Sequence, residues 1–216
     1  MTPLTRAGDP MRLFVLGASG HTGTQILDLA LARSHSVTAF VRSPDKIMRR
    51  DSKLTVLAGN PRNLDQLRKA MQGHDAVLSS LGVRPPLAFR PHSVVRDCAA
   101  TTVQAMSGAG VNRLVLVSAA VLFPMRGIVY GFFRRILKHI ARDLGGAEAI
   151  VRDSSLEWTI ARPPRLINGS EARYRASRDS LPSQAFSMSF RAVAAFMLDA
   201  VERHSHVQEI VGLARG

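Results

Sequence analysis

The stretch FVLGASGHTGTQI, residues 14–26, sets the tightest limit on how this chain folds. Gly17, Gly20 and Gly23 follow a short apolar run and open a segment whose apolar residues recur at helical spacing. A sharp strand-to-helix turn favours a residue free to adopt unusual backbone angles. Close approach of a diphosphate needs a second position without a Cβ, and close packing of helix on sheet needs a third. The first N–H groups of such a helix, aided by its dipole, face the anion. The spacing is G-x-x-G-x-x-G, and in this strand–turn–helix setting it predicts a dinucleotide site rather than a merely structural turn.

The rest of the chain repeats the same alternation. Strands are predicted at Arg12–Leu16, Ser36–Val41, Leu54–Ala58 and Ala76–Ser79, then at residues 113–118 (RLVLVS) and in EWTIARPP, which Pro163 and Pro164 stop because proline has no N–H for the ladder. Helices are predicted at residues 22–33, with Ile26, Leu29 and Ala30 on one face, and at Leu64–Met71. Two more are predicted at residues 92–109, stopped by GAG, and at residues 130–152. Strands alternating with helices imply right-handed crossovers and a parallel sheet. After Pro164 the pattern loosens: EARYRAS and QAFSMS read as short strands, Phe190–Glu202 as a helix and residues 207–211 as a last strand. This tail is expected to fold over the carboxyl ends of the sheet. The fold class is therefore α/β, a Rossmann-type doubly wound parallel sheet with a small C-terminal substrate region. A single domain spans residues 11–216 behind a loose leader at 1–10, and Met11 is an alternative start.

Composition narrows the class further. With 216 residues, 46% of them hydrophobic, the chain can bury one core. No run approaches the length of a membrane span, and residues 1–10 lack a signal-peptide core. Cys98, the single cysteine, excludes an internal disulfide and reads as a small buried hydrophobe. A cytoplasmic protein without a membrane partner is expected. The net charge of +13 raises the question of nucleic acid. Yet the basic residues are scattered (Arg42, Lys46, Arg49, Arg50; Arg134, Arg135, Lys138; Arg173, Arg175, Arg178) without interleaved aromatics or a binding motif. A solvated basic surface, part of which steers an anionic ligand, is the expectation.

The end of the second strand selects the dinucleotide. An NAD site usually presents a carboxylate there to the ribose 2′-hydroxyl. Here AFVRSPDKI places Arg42, Ser43 and Lys46, and an arginine fork suits a phosphate dianion. NADP(H) is therefore the expected cofactor. Asp45, after Pro44, reads as a helix-start residue.

Taken together, GASGHTG, VRSPDK, GNPRN, SSLGVR, VLVSAA and WTIARPPRL make the chain resemble the atypical short-chain dehydrogenase/reductase superfamily. The nearest group is the one that includes biliverdin reductase B (flavin reductase) and the NmrA-like proteins. The resemblance implies strand order 3-2-1-4-5-6. It implies that Gly17, Ser19, Gly20, His21, Thr22 and Gly23 line the diphosphate and that Arg42 and Lys46 hold the 2′-phosphate. Asn60 lies near the adenine, where the family commonly has aspartate. Ser80, Leu81, Gly82 and Arg84 pass beside the nicotinamide-side ribose, Pro163, Pro164 and Arg165 border the nicotinamide, and Ser118, the candidate catalytic residue, matches the serine at the end of the fifth strand.

Two departures bear on the substrate. Arg165 stands where biliverdin reductase B has a histidine, and the usual Tyr-x-x-x-Lys pair is replaced by YGFFR. Arg134 is a poor substitute for the lysine, so Tyr130 is read as lining the substrate pocket or core. The expected activity is hydride transfer from NADPH to a conjugated small molecule, a small anionic acceptor attracted by Arg165, with solvent able to supply the proton. The alternative is a non-catalytic NmrA-like sensor that binds NADP(H) and reports to a protein partner. A monomer or weak homodimer is expected. His139 and Asp143 share a helix face with Arg142 and Glu148 nearby and could pair, but a metal needs a third ligand. His204 and His206 read as solvated, and Trp158 as a core residue preceding a strand.

Overall fold

The structure, a computed structural model, describes residues 9–83, 88, 90–124 and 137–216. Ten strands and five α-helices occur among them. Strands β1 (Arg12–Leu16), β2 (Ser36–Val41), β3 (Leu54–Ala58), β4 (Ala76–Ser79), β5 (Arg113–Val117) and β6 (Glu157–Arg162) pair in parallel. The full order is β3-β2-β1-β4-β5-β6-β10-β8, so the implied 3-2-1-4-5-6 order is present and extended. Helices α1 (His21–Ala32), α2 (Leu64–Met71), α3 (Val94–Ala109), α4 (Lys138–Arg152) and α5 (Phe190–Glu202) cover its two faces.

Alternation along β1 explains the two layers. Successive side chains of a strand point to opposite faces. Leu13 and Val15 join the core built with α1 and α5, while Phe14 and Leu16 join the core built with α2, α3 and α4. All four are fully buried, which accounts for the unbroken apolar run of a strand covered on both sides. Helix α3 stops where GAG predicts, with Gly110 in the left-handed region at φ +71°. Cys98 is buried in α3, and burial pushes its thiol up.

The tail departs from expectation. Strand β10 (Glu209–Arg215) pairs in parallel with β6, and β8 (Tyr174–Arg178) lies antiparallel to β10 at the sheet edge. These two strands enlarge the sheet rather than cover its end. Only β7 (Arg165–Ile167) and β9 (Ser187–Ser189) form a separate two-stranded pair. The last strand is four residues later than predicted at its far end. Gly212 looks like a breaker in sequence, but a Cβ there would lie 2.0 Å from the Ser180 carbonyl oxygen, so the chain at Ser180 can cross the strand only over glycine. Trp158 lies inside β6 rather than before it, and is buried. His206 is half-buried, against Phe196 and 2.8 Å from Glu209, rather than solvated.

Two polar clusters lock the C-terminal elements. Arg113, largely buried, donates to the carbonyls of Glu157, Ala200 and Ser205, and burial pushes it down to about 10. Arg33 at the end of α1 donates to Asp199 (2.7 Å) and Glu202 (2.9 Å) of α5. Asp199 also accepts from the Tyr174 hydroxyl, and Glu202 contacts His35.

Candidate functional site

The carboxyl end of β1 leads straight into the glycine turn, and the three glycines have three different surroundings. Gly17 has φ +80°, and a Cβ there would lie 2.7 Å from the Ser80 carbonyl oxygen at the end of β4. A Cβ on Gly23 would lie 2.1 Å from the Gly17 carbonyl oxygen and 2.6 Å from the Ala18 Cα, so α1 packs directly on the turn. A Cβ on Gly20 would meet a single chain atom, the Gly17 carbonyl oxygen at 3.2 Å, and otherwise projects into open space. Helix α1 starts at His21 with no acidic residue in its first turn and no side chain capping it. Its positive end is therefore left for an external anion.

Around this turn lies a cleft of about 520 Å³, within the usual range of small-molecule sites. Gly17, Ser19, Gly20, His21 and Thr22 form its floor. Arg42 and Lys46 stand at the β2 end, and Ser80, Leu81 and Gly82 follow β4. Ser80 ties the two strand ends together, its N–H donating to the Leu16 carbonyl at 3.0 Å. The 3-10 turn Pro44–Lys46 presents Lys46, while buried Ile47 anchors it. Asp45 is the acidic residue of that turn's start. No carboxylate lines the cleft among the described residues; its charged residues are Arg42 and Lys46.

Several lining residues were not anticipated: Phe40, Val41, Pro61, Val83, Val94 and Phe190. Pro61 sits in the GNPRN segment that already pointed here. Phe190 comes from the start of α5, far along the chain, and stacks on His21 with ring centroids 4.9 Å apart. Other expected residues lie beside the cleft rather than on its wall. Gly23 is beneath the turn, and Ser43 stands at the N-cap position of the 3-10 turn without a capping hydrogen bond from its side chain. Asn60 is held in its own turn, its side-chain oxygen accepting from the Arg62 N–H at 3.0 Å. Arg84 and Tyr130 lie outside the described residues.

A second cluster occupies the ends of β5 and β6. The Ser118 N–H donates to the Ala161 carbonyl at 2.7 Å, and the Ala120 N–H to the Pro163 carbonyl at 2.9 Å. Ser118 is 7% exposed, and its Oγ has no hydrogen-bond partner among the described residues, so it does not cap the local backbone. Pro163 is buried, Pro164 half-buried and Arg165 exposed at the start of β7. Arg162 donates twice to the buried Glu148 carboxylate and lies 4.6 Å over the Phe123 ring, which fixes the segment after Ser118. Asp143 pairs with His92 rather than His139, and no cluster of three metal-ligating residues occurs among the described residues. No described helix is long and apolar enough to cross a membrane.

Comparison with known proteins agrees with this fold. The protein YMR090W of Saccharomyces cerevisiae is 26% identical over 96% of this chain and 94% of its own. A short-chain dehydrogenase/reductase of Veillonella parvula, solved in complex with NADP, is similar with a TM-score of 0.73 and 20% identity over 95% of this chain and 94% of its own. ChuY, an anaerobillin reductase of Escherichia coli O157:H7, gives a TM-score of 0.74 with 19% identity over 94% of this chain and 97% of its own. A family pattern described as NAD(P)H-binding matches residues 17–204. The chain therefore belongs to the NAD(P)H-binding family, and its fold is Rossmann-like.

Proposed function

We propose that this protein is an NADP(H)-dependent reductase of a conjugated small molecule such as a flavin, a quinone or a linear tetrapyrrole. The observation that carries the reading is the cleft whose charged residues are Arg42 and Lys46, joined to a glycine turn open only at Gly20. A diphosphate fits the turn, because the first amides of α1 have no helical carbonyl to meet. A 2′-phosphate fits Arg42 and Lys46, and Ser43 begins the same turn. Gly82, where a Cβ would meet nothing within 4 Å, leaves room along the cleft after β4. When bound, NADPH supplies a hydride. The chain's part is to orient the acceptor, exclude water and supply hydrogen-bond donors. Ser118, just past the end of β5 and with no partner for its hydroxyl among the described residues, suits a carbonyl oxygen of the acceptor. Arg165, exposed beside Pro164, suits an anionic tail. The structural likeness to an anaerobillin reductase supports a planar, conjugated acceptor.

Arg42→Ala is expected to weaken NADPH by roughly 10-fold or more and leave NADH nearly unchanged. One charge-assisted phosphate contact contributes about 1.5–3 kcal/mol. Calorimetry with both cofactors checks it, and equal affinity of the wild-type protein for the two overturns the NADP(H) preference. Ser118→Ala is expected to lower turnover roughly 10- to 100-fold with NADPH affinity unchanged, as for loss of one positioned donor. If the effect falls on NADPH affinity instead, Ser118 belongs to the cofactor site. The activity itself is tested by NADPH oxidation with FMN, menadione and biliverdin. A protein that binds NADPH and reduces none of them is a sensor of the NmrA-like kind.

A further inference from the structure

Phe190 lines the cleft from an element that no local signal placed there, and its neighbours hold it firmly. It is the first residue of α5 and half-buried. Just before it, the Ser189 hydroxyl donates to the Glu171 carbonyl and accepts from the Ala192 N–H, which caps α5. Just after it, Arg191 donates to the Gln25 side chain of α1 at 3.2 Å. The Phe190 ring lies 4.9 Å from that of His21, centroid to centroid, with 27° between the planes. His21 is the first residue of α1, is exposed and lines the same cleft. Neither of its ring nitrogens hydrogen-bonds to a described residue.

A stack that served packing alone would bury both rings, as α5 buries Phe196 further along. This one leaves the imidazole in the cleft with its nitrogens free. The sheet order says which half of the cleft that is. Helix α1 packs over β1 and β2, whereas α5 packs over β5 and β6. In the order β2-β1-β4-β5-β6, α5 therefore stands on the β4 side of the glycine turn, away from Arg42 and Lys46 at the β2 end. A dinucleotide crosses such a sheet where the strand order reverses, with its two halves on opposite sides. An imidazole carries at least one N–H donor in either protonation state. A ring already held by stacking also loses less freedom on meeting a ligand than one free to turn.

Resting on the NADP(H) reading above, we infer that the His21 side chain donates a hydrogen bond to the nicotinamide-side phosphate of the cofactor, and that Phe190 is the positioning residue that holds the imidazole for it. Arg42 and Lys46 then serve one end of the dinucleotide, and the His21–Phe190 stack serves the other half of its diphosphate.

Calorimetry on the full chain tests this by comparing NADPH with adenosine 2′,5′-bisphosphate, which keeps the 2′-phosphate but ends at the adenosine-side phosphate. His21→Ala should weaken NADPH about 10-fold, the scale of one hydrogen bond to a charged group, and leave the bisphosphate unchanged. Phe190→Leu keeps an apolar side chain without the flat ring face. It should weaken NADPH about 5-fold with the bisphosphate and the circular dichroism spectrum unchanged, and Phe190→Tyr should keep wild-type affinity. The double variant His21→Ala with Phe190→Leu should bind NADPH no more weakly than His21→Ala alone, because Phe190 then has no imidazole to hold. Arg42→Ala, by contrast, should weaken both ligands. Wild-type NADPH affinity in His21→Ala or Phe190→Leu overturns the inference. So does equal weakening of both ligands in either variant, or additive losses in the double variant. A wild type that binds neither ligand overturns the NADP(H) reading and this inference with it; a wild type that binds both, with NADPH affinity untouched in His21→Ala and Phe190→Leu, overturns this inference alone.

Discussion

Gly20→Val is expected to abolish NADPH binding in a protein that still folds. The position meets one chain atom at 3.2 Å and otherwise opens on the cleft, so an added side chain disturbs ligand space more than chain packing. A branched side chain there displaces a diphosphate from the amides of α1. A loss of at least 100-fold, about 2.8 kcal/mol, is expected by calorimetry, with the circular dichroism spectrum unchanged. Gly23→Ala is the contrast. Its Cβ would overlap backbone at 2.1 Å, which no rotamer change relieves. That variant should lose stability as well as binding, because overpacking costs about 1–3 kcal/mol or more. Normal NADPH affinity in folded Gly20→Val would show that the turn does not hold the diphosphate.

The largest stability effect is expected at Arg162. Its side chain is 12% exposed and that of Glu148 4%, with the guanidinium donating through both Nε and Nη2 to the carboxylate. Arg162→Met leaves Glu148 buried and unpaired, which costs about 3–5 kcal/mol. Urea unfolding should show this loss. The double variant Arg162→Met with Glu148→Leu should recover most of it, since replacing both charges removes the unpaired one. A single variant as stable as the wild type would mean that water reaches Glu148. Arg162 also lies over Phe123, so the single variant should loosen the segment after Ser118 and lower turnover more than NADPH affinity.

The inner strands β1, β2, β4, β5 and β6 were legible because each is a short run of mostly buried residues, as Leu13–Leu16 shows, and burial on both faces leaves an apolar signature. The stop of α3 at Gly110 was legible because a left-handed cap favours glycine. The tail was harder to read. Residues in β8 are largely exposed at the sheet edge, and Gly212 inside β10 answers to contact with Ser180, which no local pattern carries. The cleft around the glycine turn followed from local chemistry: three glycines at one turn, and basic residues where β2 ends. Phe190 could not be read this way, because its place against His21 depends on how α5 lies beside α1. The neighbour of Asp143 is hidden for the same reason: helical spacing offers His139 as a partner it could pair with, whereas His92, 2.9 Å away, comes from another element.

The two helices that share one face of the sheet, α1 and α5, run in the same direction and are joined at both ends. At the cleft His21 stacks on Phe190; at the opposite end Arg33 bridges Asp199 and Glu202. Two rods fastened at both tips behave as a truss. Sliding or pivoting one against the other breaks a fastening, so neither helix can tilt away on its own. Any change in the width of the cleft is therefore left to the opposite wall, where Arg42, Lys46 and Pro61 reach in from turns rather than from braced helices.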